Sequence, residues 1–169
     1  MKPILNPQLY ACVHAAEFPL QALRRLRPEL QSEPLAILGG RSPLETICSF
    51  NRLAQQKGAT LGMTRLEAES IPGVLLLTRS EENESSARAV FLECAANFSP
   101  RLEDSSPRSE DASLATACTC VLDITGTDRL FGPPELLAER LRAALAAAGF
   151  RVSVAVSANF HAARLKAIA

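Results

Sequence analysis

Apolar positions in this chain recur with two periods, and the alternation between them lays out the elements. Leu9 to His14 alternates weakly and is rich in strand-compatible residues, while Pro34 to Leu38 and Val74 to Thr78 are short apolar runs bounded by Pro or Gly. All three predict strands. Between the first two, Leu20, Leu23 and Leu26 fall three apart with Arg24, Arg25 and Arg27 on other sides, and Pro28 stops the run. That spacing predicts a short amphipathic helix. Asn51 to Lys57 followed by Gly58 predicts a helix closed by a left-handed glycine, and Thr64-Arg-Leu-Glu67 has the spacing of a capping box. From Glu81 to Asn97 the periodicity is helical, through Ala87, Val90, Phe91 and Cys94, with Phe98 just beyond. Glu81, Glu82 and Glu84 stand at the end where the helix dipole favours negative charge.

The second half repeats the alternation. Residues 103–114 are Ser-rich and acidic without periodicity and predict an exposed loop. Ala117 to Thr125 predicts a buried strand that Gly126 ends. Leu137, Leu141, Ala144, Leu145 and Ala148 then form one stripe before Gly149. Phe150 to Ser157 alternates with period two, and residues 159–169 return to helical spacing. The order predicts an α+β fold of ferredoxin-like βαββαβ plan split by a mostly helical insertion. Its expected divisions are a first strand in residues 1–19, an inserted lobe over 20–72, and the remainder over 73–169 with a flexible loop at 103–114.

Composition narrows the functional classes. The 169 residues suffice for about one domain with an insertion. Eighteen Lys+Arg balance eighteen Asp+Glu, which argues against a strongly basic nucleic-acid clamp. No run of about 18 apolar residues exists and the first ten residues contain two prolines and no apolar core segment, so a cytoplasmic protein without membrane span or signal peptide is expected. Five cysteines, Cys12, Cys48, Cys94, Cys118 and Cys120, match no zinc-finger spacing and mostly lie in apolar segments, where they read as small buried hydrophobes.

Four segments together resemble the Y-family (UmuC-like) DNA polymerases that copy damaged templates. They are Gly58-Ala-Thr-Leu-Gly-Met63 with Glu67-Ala68, Phe98-Ser-Pro100, Leu122-Asp-Ile-Thr-Gly126 with Leu130-Phe-Gly132, and Gly149 to Asn159 with Ala163. The resemblance implies a palm with a small fingers lobe inserted, followed in the family by thumb and little-finger domains that are absent here. The chain is therefore expected to be a fragment or a truncated reading frame. Family chemistry needs carboxylates, because two Mg2+ ions must be held by oxygen anions.

At those positions this sequence departs from the family. Laying Val13 to Phe18 on the first-strand motif puts His14 at the first metal-binding aspartate, and counting back from Asp123 puts Cys118 and Thr119 at the catalytic aspartate–glutamate pair. Asp123 itself reads as structural. No aspartate precedes Asp104 anywhere in the chain. Arg52 and Gln55 replace a tyrosine and an arginine of the triphosphate-binding set, and Phe160 replaces a lysine. The resemblance thus implies no nucleotidyl transfer and no bound Mg2+. It is most similar to the catalytically inactive ImuB-like branch, whose members serve damage-induced (SOS) mutagenesis in bacteria as adaptors for an error-prone polymerase, a RecA-like accessory protein and the sliding clamp.

Two other readings are open on the residues. A working translesion polymerase fragment would require the metal ligands to lie elsewhere. Cys12, His14, Cys118 and Cys120 could instead form a small zinc site, since Cys and His suit Zn2+ where Asp suits Mg2+. Glu103, Asp104, Glu110 and Asp111 are expected to be solvated loop carboxylates rather than substitute ligands. Arg41, Arg52, Lys57 and Arg65 gather positive charge in the inserted lobe and predict at most weak phosphate contact, since no aromatic residues interleave them. Gly39-Gly40 reads as a turn after a strand.

Overall fold

A computed structural model describes residues 7–106 and 116–169. The chain divides into two compact units, one from Met1–Ala16, Arg88–Ser106 and Cys118–Ala169, the other from Glu17–Ala87 and Pro107–Ala117. Glu110 and Asp111, and most of the loop predicted at 103–114, lie outside the described residues.

The first unit is built on a four-stranded sheet of β1 (Tyr10–Ala15), β5 (Leu102–Asp104), β6 (Cys118–Asp123) and β7 (Ser153–Ser157) in the order β5-β6-β1-β7. Each neighbouring pair is antiparallel. With α4 (Glu81–Ala96) before β5 and α6 (Pro134–Ala147) before β7, this is the βαββαβ plan the periodicities predict. Local chemistry explains the helices. Ser80 receives the Asn83 N–H at the start of α4, where three glutamates complement the dipole. Pro134 opens α6, whose Leu137, Leu141 and Leu145 are buried, and Gly149 follows with φ 87°.

Strand alternation sorts the sheet's side chains into two faces. Cys12 and Val121 lie opposite each other and pack against Ala163 and Ala167 of α7 (Phe160–Ile168). Ala11, Val13, Ala15, Cys118, Cys120 and Leu122 alternate with these and are fully buried on the opposite face. Over that face Phe91 of α4 meets Phe150 edge to face at 5.4 Å.

The second unit contains a three-stranded sheet of β2 (Leu35–Gly39), β3 (Thr46–Phe50) and β4 (Leu75–Thr78) in the order β3-β2-β4. Leu20 and Leu23 of α1 (Phe18–Leu26) pack on Leu35 and Ile37. Ala54 of α2 (Arg52–Gln56) and Ala68 of α3 (Arg65–Glu69) pack with Ala36, Leu38 and Ile47. The capping box predicted at α3 is present, with Thr64 and Glu67 bonding each other's backbone N–H.

Two sequence expectations need correction, and two elements went unpredicted. Leu75–Thr78 does not return the chain to the first sheet at residue 73; β4 pairs parallel with β2 and belongs to the second unit, which runs to Ala87. A short all-apolar strand carries no label for the sheet it joins. Strand β3 and the single helical turn α5 (Asp128–Phe131) carry no apolar periodicity long enough to signal them. Residues 102–104 form strand β5 rather than the start of a loop, because Leu102 and Asp104 pair with Leu122 and Cys120.

Candidate functional site

Two central strands carry the positions at which metal-binding carboxylates are expected. His14 of β1 lies directly opposite Thr119 of β6, and its Nδ1 is 2.8 Å from the Thr119 Oγ1. On its other side His14 faces Ser153 of β7, whose hydroxyl donates to the Ala167 carbonyl at 2.6 Å. Burial holds the His14 pKa below its ordinary value, so the ring is neutral at pH 7. Thr119 is buried and satisfied by this contact.

Cys118 does not join them. It lies opposite Ala15, and the pleat turns it to the other face of the sheet with Cys120. There Ser106 Oγ approaches its sulfur at 3.7 Å, and burial pushes its thiol up to about 11. Burial likewise pushes Cys12 up to about 11 and raises Cys120. Thiols held protonated in this way are poor metal ligands and poor nucleophiles. The pleat therefore places Cys12 and His14 on one face and Cys118 and Cys120 on the other, and the four do not assemble as the suggested zinc site. Among the described residues no group of three or more His, Cys, Asp or Glu converges.

Asp104, on the strand next to this pair, is not solvated as expected. It lies opposite Cys120, forms an ion pair with Arg88 of α4, and accepts from the Ser106 N–H at 3.1 Å and hydroxyl at 2.8 Å. Burial works to raise its pKa, but the bonds from Ser106 and Arg88 outweigh it and hold the carboxyl below the usual range. Glu103, on the alternate face of β5, is exposed. Asp123 accepts from the Thr125 N–H at 2.9 Å and pairs with Arg101 at 3.2 Å, closing the turn after β6 in the structural role expected of it.

The remaining predicted positions are dispersed. Phe160 is half-buried and packs edge to face on Tyr10 at 5.8 Å, so this position serves the cover of the sheet. Arg52 and Gln55 are exposed on α2, and Arg41 is exposed beyond the turn at Gly40, whose φ is 95°. Lys57 Nζ reaches the Pro72 carbonyl at 3.4 Å. Arg65 is engaged by Glu45 at 2.8 Å and Glu69 at 3.8 Å, which leaves it less charge to offer a phosphate than Arg41 or Arg52. Sequence reading missed Arg88 and Ser106, which organise Asp104, and Glu17 and Ser49. The one available signal was Glu17 standing as the one acidic residue in the run from Ala11 to Leu20.

The model of the impB/mucB/samB family matches residues 13–167. The chain belongs to this family. No curated protein sequence matches it. Among solved structures, the chain is similar to a post-insertion binary complex of Dbh DNA polymerase, with a TM-score of 0.77 at 19% identity, and to an insertion ternary complex of the same enzyme, with 0.73 at 20%. It is also similar to DinB from Sulfolobus solfataricus, with 0.71 at 18%. Each likeness covers 95% of this chain and 45% of the other, so the chain spans less than half the length of these polymerases. At such identities the likeness is one of fold, the mixed α+β palm of Y-family polymerases. The impB/mucB/samB chain is thus a Y-family polymerase-like domain, related to the polymerases of DNA repair and translesion synthesis.

Magnesium, which the family's chemistry implies, is tested by the donor set. A neutral imidazole, a hydroxyl bonded to it and a protonated thiol on the opposite face supply none of the anionic oxygens that Mg2+ requires. These residues do not fit the ion.

Proposed function

We propose that this impB/mucB/samB domain is noncatalytic and acts in damage tolerance as an adaptor for a partner error-prone polymerase. One observation carries the reading: His14 and Thr119 satisfy each other at 2.8 Å across the strands that should present metal-binding carboxylates. Two carboxylates without a metal would repel each other at this separation, so a domain freed from catalysis is stabilised by exchanging them for a mutually bonded neutral pair. The ImuB-like resemblance supplies the partners, a RecA-like accessory protein and the sliding clamp beside the polymerase. The expected compartment is the cytoplasm, in keeping with the lack of any helix among the described residues long and apolar enough to cross a membrane.

Weak DNA contact through Arg41, Arg52 and Lys57 belongs to the same proposal, supported by their exposure. Their joint replacement by alanine is expected to weaken primer–template binding and flatten its salt dependence, as loss of a few phosphate contacts does.

The deciding experiment is primer extension by the purified protein with Mg2+ or Mn2+ and all four nucleotides, beside a His14→Ala, Cys118→Ala double variant. Neither preparation is expected to incorporate nucleotide above background. Incorporation by the unmodified protein that the variant loses would establish the translesion polymerase reading instead. Capture of a purified error-prone polymerase by the immobilised domain tests the adaptor role, and failure to capture it would count against that role alone.

A further inference from the structure

Strand β4 is the outermost strand of its sheet, and no described strand pairs with its outer side. The Leu75 N–H donates to the Pro34 carbonyl at 2.8 Å and the Arg79 N–H to the Leu38 carbonyl at 2.8 Å, so alternate residues bond inward to β2. Leu76 and Thr78 therefore turn their N–H and C=O groups outward. Such an edge is a template for another strand unless a charge or a proline blocks it, and Leu-Leu-Leu-Thr contains neither. Leu75 and Thr78 are exposed at its two ends. The free charges lie just beyond those ends and differ in sign. At one end Lys57 places its Nζ 3.4 Å from the Pro72 carbonyl; at the other Glu81 and Glu82 are exposed where α4 begins. Arg79 between them is engaged by Glu84 at 2.7 and 2.8 Å.

We infer that β4 is an interface for a second copy of this chain, joining two three-stranded sheets edge to edge across a two-fold axis at Leu77. Antiparallel pairing about Leu77 sets Leu76 of each copy opposite Thr78 of the other, and each such pair exchanges both backbone bonds. The same register brings Glu81 and Glu82 of one copy toward Gly73 and Pro72 of the other, where Lys57 lies. One self-complementary patch thus makes every contact twice, as a two-fold dimer requires. An unrelated extended peptide would satisfy the backbone groups alone; the opposite charges at the two ends favour a second copy over it. Four residues of edge make a small contact beside the about 800 Å² per partner of a standard interface, so the dimer is expected to dissociate on dilution. All of these residues lie in the second unit, so the inference does not depend on whether the first unit is catalytic.

Sedimentation equilibrium of the full chain over about 1 to 200 μM tests it, with a reversible monomer–dimer equilibrium expected. Thr78→Pro, at an exposed position, removes an outward N–H and should weaken the dimer at least about tenfold. Thr78→Val keeps that N–H and should leave the association within about twofold of the unmodified chain. Lys57→Glu should weaken it about fivefold at low salt, and adding Glu81→Lys and Glu82→Lys to that variant should restore it, because the swap returns opposite charges to the meeting ends. Cooperative unfolding of each variant establishes that it folds. A chain that stays monomeric throughout this range would overturn the inference and leave the edge to an extended segment of another protein. A dimer that survives Thr78→Pro, or one that the charge swap fails to restore, would overturn it as well.

Discussion

In the four-stranded unit, β1, β6 and β7 carry no acidic residue, lysine or arginine except Asp123 at the end of β6, and in their central row His14 and Thr119 are bonded to each other while Ser153 donates to the Ala167 carbonyl. The three-stranded unit is also uncharged along its strands, yet it sets charges around them: Glu17 reaches in to Ser49, while Arg41, Arg52 and Lys57 remain exposed. It also exposes Leu44 and Leu66 by 82% and 79% of their surface. The contrast separates groups that hold the fold from groups that do not: a neutral, packed row determines stability, whereas charges and apolar side chains left at a surface add little to it.

The largest test of this contrast is a deletion in the packed unit. Phe91→Ala removes a fully buried ring and its contact with Phe150, and is expected to cost about 3–5 kcal/mol in denaturant unfolding. A loss below about 1 kcal/mol would show this side to be loosely packed and would break the comparison. Next, Thr119→Val removes the hydroxyl that satisfies His14 and is expected to cost about 1–3 kcal/mol, since the imidazole nitrogen is left unpaired. An unchanged unfolding midpoint would mean that the two side chains are merely adjacent.

A smaller effect sharpens the electrostatic side. Because burial lowers the folded pKa of His14 from its ordinary 6.5, the unfolded chain takes up the proton first as pH falls. Stability is then complete above pH 6.5 and declines as pH drops through that value toward the folded pKa. The unfolding midpoint should fall between pH 7 and pH 5, and His14→Gln should remove that slope. Asp104 and Asp123, both held below 3.8, contribute in a separate window: their stabilisation is present above 3.8 and is lost as pH falls through their folded values. The smallest effect belongs to the exposed charges. Arg65→Ala, which breaks the half-exposed ion pair with Glu45, should shift the unfolding midpoint least of these variants, because partly screened pairs add little.

Legibility in the sequence followed element length. The stripe of Leu137, Leu141 and Leu145 and the glutamates opening α4 announced their helices, and the Thr64–Glu67 spacing announced a cap that is present. Strand β3 was hidden because Thr-Ile-Cys-Ser-Phe mixes small polar and apolar residues over five positions. At the candidate site the residue types at 14, 118 and 119 were readable, but not that the first and last would bond while the middle one turned away. That outcome depends on register, and one residue of slip would reverse the faces.

The sequence alone determined which side chains the first strand can carry and the order of the elements. A stretch without any aspartate before Asp104 cannot place one on the first strand, and apolar periodicity is a local property that chain order carries into the βαββαβ plan. Only the tertiary structure decided which strand joined which sheet, that Asp104 would be tied to Arg88 rather than left in water, and that Glu17 would accept a strained backbone to reach Ser49. Those are contacts between residues 16, 32 or more positions apart. Their energies come from burial and bond geometry, which exist only once the chain has folded.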